Sequence, residues 1–241
     1  MEYKCLDKII FKEIFLNPAN RDGVRWMNIR RNFLIVNVIW FCLLFFSFCW
    51  GFFNARAEQE RIALLTARVV FKQIVITRRW NALNGGLYAV VGEMTQPNPY
   101  LIDPNRDIRV NDSLLLTKIN PAFMTRQISE IAQTETDGLK FHITSLNPIR
   151  PANKATEIEM EFLRAFETGE KETGLFLMED GRKVYKYMAP LLTEKSCLAC
   201  HAKQGYQEGD IRGGISVTLP FTTKVPLLSL FFSHLSIYLF G

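Results

Sequence analysis

A chain of 241 residues, 48 % hydrophobic and carrying a formal net charge of +5, has room for one sizeable domain with accessory segments and at most a small second one. The basic excess does not point to nucleic acid. Residues 1–32 hold seven Lys/Arg against four acids, whereas residues 54–224 hold 22 basic and 20 acidic side chains, a net of only +2, so no nucleic-acid partner is expected.

In chain order, residues 1–32 form a basic N-terminal segment in which either Met1 or Met27 reads as the natural start. Residues 33–53 ("FLIVNVIWFCLLFFSFCWGFF") contain no charged side chain and at 1.5 Å per residue span about 30 Å, which predicts a transmembrane helix. The uncharged run of 21 residues is longer than the apolar core of a signal peptide, which argues against a removed leader. Arg30 and Arg31 abut the apolar run, while Arg56 beyond it is offset by Glu58 and Glu60. Positive charge stays inside, so the N-terminus is expected in the cytoplasm and residues 54–224 in the periplasm of a bacterial inner membrane. Residues 225–241 ("VPLLSLFFSHLSIYLFG") read as the start of a second membrane helix.

The outer region opens on a helical pattern over 54–83, with Ile62, Leu65, Val69, Ile76, Trp80 and Leu83 recurring at three, four and seven. This stripe fits either a core helix or a rigid stalk that pairs with a second copy. Gly85 and Gly86 should stop it. "LYAVV" (87–91) then reads as a strand, and "TQPNPYLIDPN" (95–105) as a surface excursion because its prolines forbid regular helix. Asn120-Pro121 is a helix start, an N-cap followed by proline at the first helical position. That helix is expected to run to about Gln133 with Phe123, Met124, Ile128 and Ile131 inward. "KFHITSL" (140–146) is a β-branched strand; residues 157–168 form a second helix, burying Ile158, Phe162, Leu163 and Phe166. "GLFLME" and "RKVYKYMA" make a hairpin around Asp180-Gly181, and "GGISVTLP" supplies the last strand. The fold class is therefore α+β: an antiparallel sheet of about five strands covered on one face, with a long N-terminal helix.

Chemistry concentrates in "EKSCLACHAKQGYQEGD" (194–210). Cys197 and Cys200 are the whole cysteine content of the outer region, and His201 follows at once. C-x-x-C-H is the attachment signature of c-type haem: the two sulfurs add across the haem vinyl groups and the histidine ligates iron. A structural zinc site wants four Cys or His ligands, and beyond the motif the outer region offers only His142. A thioredoxin-like redox pair would open a long helix, which the four glycines of "KQGYQEGDIRGG" do not allow. One covalently attached haem c is expected, and with it dependence on the c-haem maturation machinery.

With these residues in place the outer region resembles the periplasmic c-haem sensor domains of bacterial histidine kinases, diguanylate cyclases and chemoreceptors. The resemblance rests on "WNALNGGLYAVVGEMTQPNPYL" (80–101), "INPAFMTRQISEIA" (119–132), "FHITSLNPIRPAN" (141–153), "KYMAPL" (186–191) and "CLACHAKQGYQEGDIRGGISV" (197–217). It implies a PAS-like fold flanked by transmembrane helices, a sensor role, and a cytoplasmic output domain beyond Gly241. Where this family often carries histidine just before the two glycines, this sequence has Asn84, which cannot take a histidine's place as iron ligand. The sixth ligand is left among Met94, Met124, Met178, Met188, His142 and water, with Met124 favoured for its inward helix face and His142 read as a hydrogen-bonded core residue. Arg126 and Arg212 are candidate propionate contacts, because a guanidinium binds carboxylates in a bidentate way.

The expectation is a non-enzymatic haem sensor of redox state or a diatomic gas, homodimeric through the stalk. A membrane-anchored monohaem cytochrome is the alternative. No distal His/Arg pair with recognisable spacing argues for catalysis at the haem.

Overall fold

The structure is a computed structural model that describes residues 18–136, 138–221 and 227–240, with side chains from Arg25 onward except those of Ala199 and Cys200. The chain divides into two units, residues 59–223 and a second made of residues up to 58 together with 224–241.

Helix α1 (Pro18–Leu83) supplies residues to both units. In the second unit it is met by helix α5 (Leu227–Phe240). Phe41 packs edge-on against Tyr238 and Phe48 against His234, the Ser47 hydroxyl lies 3.1 Å from His234 Nε2, and Gly51 leaves room for Leu230. Ascending positions on α1 meet descending ones on α5, so the two helices run antiparallel. One helix among the described residues, over Arg25–Leu83, is long and apolar enough to cross a membrane by length and composition. The expected second span is represented only by the 14 residues of α5, roughly 21 Å; residues 225, 226 and 241, like residues 1–17, lie outside the described ones.

In the unit of residues 59–223, α1 ends at Leu83, and Gly85 (φ +72) and Gly86 (φ +96) carry the chain out in the left-handed region open to glycine. Strands β1 (Leu87–Val90), β2 (Asp107–Arg109) and β3 (Leu115–Ile119) form an antiparallel sheet in the order β1-β3-β2. Helix α2 (Pro121–Glu135) is capped by Asn120, whose side chain accepts from Phe123 N at 2.8 Å. Strand β4 (Lys140–Thr144) follows, then helix α3 (Glu157–Glu167), whose capping box pairs Thr156 with Glu159. Strands β5 (Thr173–Glu179) and β6 (Arg182–Leu192) turn at Asp180 and Gly181, both with positive φ, as a tight hairpin requires. Helix α4 (Lys195–His201) and strand β7 (Ile211–Pro220) complete a second antiparallel sheet, ordered β4-β7-β6-β5.

The α+β class and the long N-terminal helix are as expected, but there are two sheets where one was predicted. The additional strands are β2, three residues of mixed polarity, and β3, whose "LLTKI" breaks strict alternation. Neither has the length or period to announce itself in sequence. The larger sheet is also covered on both faces. Tyr185, Tyr187, Ala189, Ile215 and Val217 pack with Ala63, Ala67 and Ile74 of α1, while Met188, one position out of phase, packs with Phe162, Leu163 and Phe166 of α3. Each face of a strand takes alternate residues, so β6 serves two cores at once.

Two helix faces depart from expectation. On α1 the predicted apolar stripe is the outer one, Ile62, Val69, Ile76, Trp80 and Leu83 each being more than half exposed. The inward face is Ala63, Ala67, Ile74, Arg78 and Asn81, with the small Ala63 and Ala67 letting the helix settle against the tyrosines of β6. On α2 the buried residues are Phe123, Thr125 and Ser129. Ile128 and Ile131 face outward, since Ser129 Oγ and Thr125 Oγ1 make hydrogen bonds to Phe141 O and to Arg78 that turn the polar side inward. The excursion at 95–105 is likewise anchored by buried Asn98 and Leu101.

Candidate functional site

The C-x-x-C-H segment folds as α4, seven residues with Glu194 at the N-cap, followed by a 3-10 turn over Ala202–Gln204 that ends at Gly205 (φ +88). The turn brings Gln204 back beneath His201, where its side-chain carbonyl accepts from His201 Nδ1. Gln204 is itself fixed by donating to Asn147 O at 3.1 Å. An imidazole that donates through Nδ1 keeps its lone pair on Nε2, the arrangement a metal-ligating histidine needs. Burial, reinforced by the positive charge of Arg212 and Arg78, holds the His201 pKa below its usual value despite the bond to Gln204. The ring is therefore neutral at physiological pH and free to ligate.

Cys197 and His201 both line a cavity of about 880 Å³ enclosed by the end of α1, the excursion before β2, α2, β4, the loop before α3 and the start of β7. That volume lies within the range of about 300–1,000 Å³ typical of cofactor-sized sites. Gly213 stands on the wall where a Cβ would come within 2.2 Å of Thr144 O, so the close approach of β7 to β4 requires glycine there.

The structure brings Cys197, His201, Arg126 and Arg212 to one cavity. The side chain of Cys200 lies outside the described ones. Met124 is half-buried on α2 and is not on the cavity wall; the inward positions beside it belong to Phe123 and Thr125. Met94 and Met178 are exposed and Met188 is fully buried in the α3 core. No methionine among the described residues lines the cavity.

His142 lines it but has both ring nitrogens engaged. Nδ1 lies 3.0 Å from both Glu159 carboxylate oxygens, and Nε2 lies 3.2 Å from Ala152 O. Two acceptors require two donors, so the ring is an imidazolium, and Glu159 raises its pKa. Burial alone would push the Glu159 carboxyl up, but hydrogen bonds from His142, Ser216 and Thr156 N bring it down to about 2.

Sequence reasoning missed two arginines on the cavity wall, a buried hydroxyl near them and the residue that orients His201. Arg78, 8 % exposed, donates to Pro121 O and Thr125 Oγ1 at 3.1 Å each. Arg150 reaches only Asn153 Oδ1, at 3.5 Å. Thr144 Oγ1 is buried without a hydrogen-bond partner among the described residues. Arg78 had a readable signal, since it follows Ala67 by eleven residues and Ile74 by four, both helical spacings. Gln204 had none beyond standing three residues after His201.

The profile of the Tll0287-like family matches residues 56–220, which include every residue lining the cavity. The chain belongs to this family. Among solved structures the Tll0287-like chain is similar to one described as the crystal structure of the cyanobacterial heme-protein Tll0287. The match has 19 % identity over 68 % of this chain and 97 % of that one, with a TM-score of 0.43. No curated protein matches.

Proposed function

We propose that the chain is the haem c-binding input module of a membrane-bound signal transduction protein, responding to redox state or a diatomic gas. The observation that carries this reading is the placement of His201 and Cys197 on one cofactor-sized cavity, with Nδ1 of His201 committed to Gln204 and Nε2 without a partner among the described residues. The donor set fits: Cys197 and Cys200 would hold the group by thioethers, His201 would ligate its iron, and Arg126 and Arg212 would meet its carboxylates. Iron held there would supply one-electron chemistry and a coordination position for a small ligand. Membership of a family named for Tll0287, described as a heme-protein, agrees with this.

No methionine among the described residues lies on the wall and both nitrogens of His142 are occupied, so iron held by His201 would keep a position exchangeable for water or a small ligand. An exchangeable position suits a sensor better than an electron carrier, which works best with two permanent ligands. The module acts by binding and not by catalysis. The uncharged run in α1 supports a membrane anchor, and the charge balance beside it supports a periplasmic placement of the cavity. A PAS-like fold and an output domain beyond Gly241 rest on the resemblance. The outward stripe Ile62, Val69, Ile76 and Leu83 repeats every seven residues and suits a parallel seam with a second copy. Val69→Glu with Ile76→Glu should make a homodimer monomeric by sedimentation; a wild-type protein that sediments as a monomer overturns the seam.

The test is expression with a periplasmic c-haem maturation system. The haem should survive denaturing electrophoresis, and the ferrous protein should bind carbon monoxide with a spectral change. Haem that washes out, or zinc in its place, removes the reading. Covalent but gas-inert, low-spin haem would make the chain a membrane-anchored cytochrome.

A further inference from the structure

Arg78 is the most deeply buried guanidinium on the cavity wall, and its recorded hydrogen bonds go only to neutral oxygens, Pro121 O and Thr125 Oγ1. It has no carboxylate partner among the described residues. Two other cations on the wall do meet acids: Lys118 meets Asp103 at 2.7 Å and Arg126 meets Glu130 at 3.7 Å. Arg212 has no ion pair among the described residues and lies close enough to Arg78 to depress its pKa, behind the larger effect of burial. Two guanidiniums on one cavity wall without a shared acid among the described residues repel each other, and burial deepens the penalty. A buried charge of this kind is retained where a counter-ion completes it, and a planar carboxylate matches the fork of a guanidinium.

We propose that Arg78, with Arg212 beside it, forms a carboxylate-binding site on the cavity wall next to the C-x-x-C-H helix. Its occupant is a haem propionate, so that part rests on the haem reading above; a free carboxylate from solution offers the same chemistry. Arg78 lies on α1, so an occupant held there joins α1 to α4 and β7 through charge, at the end of the helix that the dry core does not cover. The bonds to Pro121 and Thr125 fix the orientation of the guanidinium before the occupant arrives.

Two arms test the site and separate the sources. In haem-loaded protein, the pH dependence of the midpoint potential reports propionate ionisation. Arg78→Gln should raise that pKa by about one unit or more, Arg212→Gln should move it the same way by less, and Arg78→Lys should restore most of the shift. In protein without haem, acetate should raise the thermal midpoint of wild type more than that of Arg78→Gln or Arg212→Gln. A response in the first arm assigns the site to the propionate, and a response in the second alone assigns it to a free carboxylate. Wild-type protein that never acquires haem but responds to acetate keeps the site and removes the haem reading. No difference between wild type and the variants in either arm overturns the site. Arg212→Gln leaves the bonds of Arg78 intact, so it decides the matter if Arg78→Gln fails to fold.

Discussion

Two histidines line the same cavity, and their surroundings give them opposite chemistry. His142 sits on β4 between the buried carboxylate of Glu159 and the Ala152 carbonyl, so it is charged and has no nitrogen to spare. His201 sits at the end of α4 against a neutral amide, with burial and two arginines holding it uncharged. The difference lies in the partner supplied by the fold. A carboxylate makes an imidazole into a structural cation, whereas an amide carbonyl makes it into a ligand with one nitrogen oriented and the other available.

The largest effect expected from breaking this contrast is at α4. His201→Ala should abolish the native ferrous spectrum, and Cys197→Ala with Cys200→Ala should abolish covalent haem on a denaturing gel. His142→Ala should leave the haem attached and its iron ligation unchanged. Loss of iron ligation in His142→Ala would interchange the roles of the two histidines.

Next in size is the stability of the His142 region. Glu159→Ala removes a buried carboxylate that pairs His142, accepts from the Ser216 hydroxyl and closes the capping box of α3. Breaking a fully buried pair costs about 3–5 kcal/mol; with the His142 side chain 35 % exposed the loss should fall below that range, to be read from urea unfolding with an unchanged m-value. A loss below about 1 kcal/mol would show that Ser216 and the cap hold α3 without the ion pair.

The pair should also shape the pH dependence of stability. Glu159 is lowered from 4.5 to about 2 in the folded state, so its contribution is present above 4.5 and is lost as pH falls toward about 2. His142 is raised above 6.5, so its contribution is full below 6.5 and is lost as pH rises through the folded value. The pair therefore stabilises most between 4.5 and 6.5. In Glu159→Gln both slopes should flatten in a series of unfolding curves across pH. An unchanged profile would place the pH dependence elsewhere in the chain.

The smallest effect is expected at the amide that orients the ligand. Gln204→Leu leaves His201 in place but removes the acceptor at Nδ1, and loss of such a partner costs about 10- to 100-fold in metal affinity. With haem tethered by thioethers, the change should appear as a faster pH-induced loss of the His201–iron bond in stopped-flow spectra, while unfolding in urea stays close to wild type. Equal bond-loss rates in variant and wild type would mean that α4 alone aims the ring.

Much of the architecture is local and was legible in order. Asn120-Pro121, the Asp180-Gly181 turn and the Gly85-Gly86 stop are sequence signals because each satisfies or releases backbone groups within a few residues. The C-x-x-C-H motif is local in the same sense, since two thioethers and an imidazole within five positions need no help from the fold to be recognised. The outward stripe of α1 was visible as a period, but period does not carry direction. Only packing decided that Ala63 and Ala67 face the tyrosines of β6, and that Arg78 instead of Ile76 looks into the molecule. The pairing of His142 with Glu159, 17 residues apart, and of Glu159 with Ser216, 57 apart, was likewise beyond the sequence. Charge and burial depend on which strands become neighbours, and that is settled only when β4, β6 and β7 close over the helices.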